Sequence, residues 1–301
     1  MSPGIYHDLS FEAYREIDAV NQSTLKAFAR NPWAWKQGLP ALSGDSFEWG
    51  RMFEQRLFYP DNSRQVPNGV TVLTDAIKAQ LVEETKAANP KASGRFSKNL
   101  KSYRECAAAQ AGDIIDSEEW NRDWNCVGVA SDRCRNEPNV KSLLALGGKH
   151  EVTIVWRDPD TALLCKGLID WVPNTIGSLV DVKTSKELND ASSAEASWRF
   201  ARAVRHLGYA MQAAYYLDGW NLALEQSGAK PDPRNAWLFV VSGNKSPWPA
   251  AAYRLSQETI DQGASKYRHA LRLWKQCHES NTWPGLTDQE HWPELPTLKE
   301  N

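Results

Sequence analysis

The 301-residue chain has no apolar run near the roughly 20 residues that a membrane-spanning helix needs, so no membrane role is expected. Its start, Met1-Ser2-Pro3-Gly4-Ile5-Tyr6-His7-Asp8, has neither the basic beginning nor the apolar stretch of a secretory signal, and a cytoplasmic protein is expected. Cys106, Cys126, Cys134, Cys165 and Cys277 are an odd set without a C-x-x-C pair, which argues against a disulfide framework or a structural zinc site. Only 18 glycines and 16 prolines are present, too few for a fibrous or disordered chain. Charge of one sign is also missing: 35 basic against 37 acidic residues excludes a bulk polycation on nucleic acid, though not a local basic groove. There is no G-x-x-x-x-G-K-[ST], G-x-S-x-G or H-E-x-x-H motif. The six histidines (His7, His150, His206, His269, His278, His291) show no zinc spacing and read as structural or surface residues.

What is present suits a soluble globular protein. Hydrophobic residues make up 42%, enough for a real core, and the 14 tryptophans read as core and helix packing rather than as a platform for bases. The first half reads mainly as helix: a segment capped by Asn21-Gln22-Ser23-Thr24 and stopped at Pro32, one over Phe47–Phe58, one over Thr74–Ala88 and one over Ser117–Arg135. A basic stretch, Lys91 to Arg104, separates the last two. From about residue 150 the texture turns to β. Val152–Trp156, Ala162–Val172 and Ser178–Thr184 are joined by short turns, which predicts an antiparallel three-strand meander. A long or broken helix over Ala191–Gln226 follows, then strands at Trp237–Val241 and Ala251–Leu255 and a closing helix over Gln257–His278. The expected class is mixed α/β: a central mixed sheet flanked by helices, with a helical N-terminal portion. One domain over 1–301 is expected, divided into that portion (about 1–148), a catalytic core (about 149–279) and a tail (280–301).

The strongest chemical signal is Asp170 followed by Asp181-Val182-Lys183. Side chains alternate along a strand, so Asp181 and Lys183 share one face while Val182 points to the other. A neighbouring strand of the meander can bring Asp170 beside them. Two converging carboxylates suit a hard divalent cation, and a lysine beside them can orient the attacking water and neutralise charge growing on a phosphate. Gln212 and Tyr216 stand at i, i+4 on one helix face, placed either to hold a phosphate or base edge or to steady the helix as a polar pair. Glu54 is an acid on a largely apolar helix, a solvated edge or a metal ligand. Arg202 and Arg205 share a face with Trp198 and could track phosphates along a groove.

Taken in order, Ser23-x-Leu25-x-x-Phe28-x-x-Asn31-Pro32, Gly50-x-x-x-Glu54, Asp170, Asp181-x-Lys183 and Gln212-x-x-x-Tyr216 resemble the PD-(D/E)XK nuclease superfamily in its RecB-like branch. Pro3-Gly4-Ile5-Tyr6, Trp156-x-Asp158-Pro159-x-Thr161-x-x-Leu164-Cys165 and Asp181-Val182-Lys183-Thr184 resemble most the exonuclease VIII-type phage recombination nucleases. The likeness runs from Gly4 to about Trp283-Pro284. It implies a restriction-endonuclease-like core in which Asp170, Asp181 and the Val182 backbone carbonyl hold Mg²⁺ or Mn²⁺. Glu54 and a further acid, Glu151 before the first core strand, would assist. Lys183 would be the catalytic lysine, with Gln212 and Tyr216 completing the site. Two departures stand out. Glu54 occupies a position commonly histidine in these relatives, and Asn31 one where some carry a cysteine of an iron–sulfur cluster, so no such cluster is expected.

The resemblance further implies a DNA exonuclease working 5′-to-3′ on the ends of linear duplexes and leaving 3′ single-stranded tails. It also implies a ring-like homo-oligomer (trimer or tetramer), a single-strand annealing partner, and a place in a bacterial host cell or as a prophage product. A RecB-like endonuclease or flap nuclease would share the same metal site. A non-catalytic DNA-binding module on the same fold is the alternative of a different class.

Overall fold

The first half of the chain is built of helices separated by very short strands, the second of long strands and longer helices. The computed structural model describes residues 1–38, 45–60, 70–109, 113–175 and 177–285; the stretch expected as a tail lies outside the described residues from 286 onward. In order come β1 (Gly4–Tyr6), α1 (Phe11–Glu16), β2 (Val20–Asn21), α2 (Gln22–Arg30), α3 (Pro32–Lys36), α4 (Asp45–Phe58), β3 (Val70–Leu73), α5 (Asp75–Ala88), α6 (Lys101–Ala109), β4 (Asp113–Asp116), α7 (Ser117–Asn136) and α8 (Pro138–Leu144). Then follow β5 (Gly148–Arg157), β6 (Leu164–Pro173), β7 (Ser178–Thr184), α9 (Ser193–His206), α10 (Tyr209–Ser227), β8 (Ala236–Ser242), β9 (Ala250–Arg254) and α11 (Gln257–Ser280).

Local chemistry sets many of these boundaries. Asn21 Oδ1 accepts from the Thr24 N–H at 2.8 Å and caps α2, while Asn31 Oδ1 accepts from Ala34 N–H at 2.9 Å and caps α3. Pro32 therefore both ends α2 and opens α3, at the position where a helix has no use for its N–H. Asp158 Oδ1 accepts from the Thr161 backbone N–H (2.8 Å) and hydroxyl (2.6 Å) and closes the β5–β6 turn. The expected long or broken helix breaks at Gly208, whose φ of +74° only glycine adopts without strain, giving α9 and α10.

Among the described residues the central sheet has seven strands, in the order β1-β5-β6-β7-β8-β9 with β2 added beside β6. β5–β6 and β6–β7 are antiparallel, as the short turns predict; β7–β8 is parallel, closed by the α9–α10 crossover, and β9 returns antiparallel to β8. The N-terminal portion is less purely helical than expected. β1 pairs antiparallel with β5 and β2 parallel with β6, while β3 and β4 form a separate two-stranded parallel sheet. Strands of two to four residues are too short to show an alternating pattern, and their partners lie far along the chain, as in Gly4↔Val155. One face of the central sheet carries α2, α9, α10 and α11 over a core that includes Leu25, Ile154, Trp156, Tyr215 and Trp237. The other carries α4, α7 and α8 over Met52, Phe53, Val127, Val140, Val180 and Val182. Trp156, Trp171, Trp220 and Trp237 are buried, the packing role expected of the tryptophans, whereas Trp33 and Trp198 are exposed.

Candidate active site

The acids gather where two strands exchange faces. In a regular strand, residues two apart share a face. Ile169 of β6 packs in the core under α10, yet Trp171 packs in the core under α4 and α7. β5 changes in the same place: Val152 belongs to the α10 side, while the His150 ring lies 4.6 Å from Phe58 of α4. Between these pairs stand Asp170 and Glu151, and Glu151 has a left-handed φ of +51°. The ladder pairs His150↔Trp171 and Val152↔Ile169 flank them, so Glu151 occupies the position opposite Asp170. Glu151 thus lies inside β5 rather than before it as expected; the strand starts three residues earlier, at Gly148.

Beyond this switch β6 and β7 share only one ladder pair, Trp171↔Val180. Asp170 fills the gap: its Oδ2 accepts from the Val182 N–H at 2.7 Å, a side chain taking the place of a backbone partner. On β7, Val180 and Val182 enter the α4/α7 core, which turns Asp181 and Lys183 to the α10 side. Asp181 is 1% exposed, and each of its oxygens is engaged. Gln212 Nε2 of α10 donates to Oδ1 at 2.7 Å, and Lys183 Nζ lies 2.5 Å from Oδ2 as an ion pair. Lys183 also reaches the Val182 carbonyl at 3.4 Å and sits 5.2 Å over the Tyr209 ring.

Electrostatics mark the cluster as strained in charge. Burial, then Glu54 and Asp181, hold the Asp170 carboxyl well above the usual carboxylate range, against Lys183 and the Val182 N–H. Burial also raises Asp181, opposed by Lys183, Gln212 and Lys26. The Glu54 carboxyl is pushed up to about 8 by burial and by Glu151, with Lys183 pulling the other way. Burial alone would lower the Lys183 ammonium, but Asp181 and Asp170 outweigh it and keep the lysine charged.

The sequence-derived residues are therefore partly convergent. Asp170, Asp181, Val182, Lys183 and Gln212 meet at one point. Glu54 enters from α4 but engages His150, Oε1 to Nε2 at 2.9 Å. Among the described residues no three His, Cys, Asp or Glu side chains converge closely enough to hold an ion by themselves, so the two aspartates form the centre and Glu54 a neighbour. Tyr216 is buried, its ring against Gly167, where a Cβ would come within 2.8 Å of Cε1. Of this i, i+4 pair, only Gln212 touches a carboxylate, its amide committed to Asp181, while Tyr216 packs beside Tyr215 and Trp237. Trp198, Arg202 and Arg205 line the exposed face of α9, opposite Phe200, Ala203 and Val204.

Three side chains that the sequence did not single out border the cluster: His150 through Glu54, Tyr209 under Lys183, and Lys26 at the α9–α10 junction. Only the adjacency of His150 to Glu151 hinted at a site. The available donors fit a hard divalent cation: aspartate oxygens and a main-chain carbonyl, with no thiol among them. Asp170, Asp181 and Glu54 are withdrawn from water against the single ammonium of Lys183, and mutually repelling carboxylates so placed are costly until a further cation joins them.

Comparison with known proteins bears on the family and the fold. Residues 96–291 match the family described as PDDEXK-like domain of unknown function (DUF3799). No curated protein matches the sequence. The crystal structure of the "Putative exonuclease" of Eubacterium rectale superposes with a TM-score of 0.52 at 11% identity, covering 97% of this chain and 96% of that one. That of SSO0001 gives 0.23 at 14% identity, over 74% and 84%. The fold is accordingly restriction-endonuclease-like, and the chain belongs to the PDDEXK-like family DUF3799 within the PD-(D/E)XK nuclease superfamily.

Proposed function

We propose that this protein is a divalent-metal-dependent DNA nuclease, and more narrowly an exonuclease acting on the ends of linear duplex DNA. The observation that carries the reading is the insertion of the Asp170 side chain between β6 and β7, which brings it to the Asp181–Lys183 pair. Asp170, Asp181 and the Val182 carbonyl would hold Mg²⁺ or Mn²⁺, with Glu54 and Glu151 adding negative charge from the side. The cation, when bound, supplies Lewis-acid polarisation of the phosphate and acidifies the attacking water. The chain's own groups do the rest. Gln212 fixes Asp181 through Oδ1, and the Val182 N–H fixes Asp170 through Oδ2, so neither carboxylate has to reorganise as charge develops. Lys183 Nζ orients the attacking water and donates to the non-bridging oxygen on which charge grows. Arg202, Arg205 and Trp198 are the candidates for contact with the DNA backbone.

The structural likeness to the "Putative exonuclease" of Eubacterium rectale supports the choice of exonuclease, as does the resemblance to the exonuclease VIII-type enzymes. A 5′-to-3′ direction, 3′ tails, a ring-like oligomer and an annealing partner belong to the same proposal. No helix among the described residues is long and apolar enough to cross a membrane. End-labelled linear duplex, with 5′-phosphate or 5′-hydroxyl ends, and a covalently closed circle should be digested with and without Mg²⁺. Loss of label from the linear substrate only, and only with cation, is expected. Nicking of the circle would favour the endonuclease reading, and inertness toward every substrate the non-catalytic one.

A further inference from the structure

Lys26 belongs to the Ser23–Asn31 segment, in which Leu25 and Phe28 are fully buried in the core. Its side chain crosses from α2 to the junction of α9 and α10. The stem runs beside Gly208, where a Cβ would lie 3.0 Å from Lys26 Cδ, and Nζ reaches the Leu207 carbonyl at 3.3 Å. A surface lysine ordinarily swings its ammonium into water. This one is half-buried and held at the α9–α10 junction, next to Tyr209, the ring over which Lys183 Nζ sits at 5.2 Å. Burial, then the charge of Lys183, then that of Arg30, lower its proton affinity, and Asp181 only partly compensates. No carboxylate of the described residues lies within ion-pair distance of it. Its ammonium rests on a neutral carbonyl rather than on a carboxylate, and a DNA strand crossing the acid pair brings an anion to it.

We propose that Lys26 is a second phosphate-binding lysine of the site, holding a backbone phosphate of the DNA next to the one attacked. Arg30, four residues on and exposed, continues the same helix face outward along the strand's path. The assignment rests on the nuclease reading and adds α2 to the substrate groove. Lys183 serves the reacting phosphate and Lys26 its neighbour, so the two ammonium groups stay apart in duty as in charge.

The test is binding of fluorescein-labelled linear duplex by anisotropy across a salt series, with Ca²⁺ replacing Mg²⁺ to hold the complex uncleaved. Wild type, Lys26→Ala, Lys26→Gln and Lys26→Arg are compared, with melting curves for each. Loss of one charge-assisted contact should weaken Lys26→Ala and Lys26→Gln by about tenfold and reduce the salt slope by about one. Lys26→Arg should stay near wild type, and all melting temperatures should agree closely. Unchanged affinity and slope in Lys26→Ala, while wild type binds, would overturn the assignment and leave the nuclease reading standing. A fall in melting temperature shared by all three variants, with a wild-type salt slope, would make Lys26 structural and equally overturn it. Failure of the wild type to bind DNA would remove both.

Discussion

Gln212 and Asp181 sit 31 residues apart in sequence, yet a hydrogen bond between them holds one oxygen of the buried carboxylate in place. Gln212→Ala should reduce single-turnover cleavage by about 10- to 100-fold, the usual cost of removing a group that orients a ligand, with the fold retained by circular dichroism. Gln212→Glu should do worse, since it places a like charge on a carboxylate already raised by burial. At Gly167 the demand is steric: alanine would drive a methyl into the Tyr216 ring, and Gly167→Ala should cost about 1–3 kcal/mol in urea denaturation. At this scale, what the sequence shows depends on how local each signal is. Asp181-Val182-Lys183 is readable because strand alternation acts within three residues, and Asp170 because a short turn keeps it near. His150 and Lys26 are not, because each acquires its meaning from a distant element: His150 from Glu54 on α4, Lys26 from the end of α9.

Among the elements, α10 is the one on which the site most depends, carrying Tyr209, Gln212 and Tyr216, and it is held in place by α11. The two helices approach so closely that a Cβ on Gly263 would lie 2.0 Å from the Ala210 carbonyl oxygen. Backbone cannot give way as a flexible side chain can. Gly263→Ala should therefore lower stability by about 1–3 kcal/mol despite alanine's better helix propensity, with a lower midpoint in thermal melts. Because α10 must shift to admit the methyl, cleavage should fall as well, whereas Gly228→Ala at the exposed end of α10 should spare activity. The long helices and the meander were readable because each is long enough to show its period. β1 to β4 were not, and neither was the exchange of faces at Glu151 and Asp170. An alternating pattern predicts one face throughout a strand, and only the pairing of β5 with β6 reveals that both cross over together.

For the whole molecule the net charge of −2 is almost silent, while the interior concentrates acids at one point. Asp170, Asp181 and Glu54 each have a carboxyl pushed above its ordinary range, so ionising them in the folded protein costs more than in the unfolded chain. At neutral pH these three carboxyls therefore subtract from stability, offset in part by the Lys183 ion pair, until a dication binds. Saturating Mn²⁺ or Mg²⁺, at about 100 times its dissociation constant, contributes about 2.7 kcal/mol, which for a chain of this size is a rise of about 5 °C in melting temperature. Asp170→Asn separates charge from geometry. Its amide oxygen can still accept from the Val182 N–H, but the repulsion with Glu54 and Asp181 is gone. Without cation this variant should melt at or above the wild-type temperature; with cation its shift should largely vanish, and cleavage with it. A full cation-induced shift in Asp170→Asn would place the ion elsewhere in the molecule, and a variant less stable than wild type in chelator would mean that the Asp170 charge supports the fold rather than burdening it.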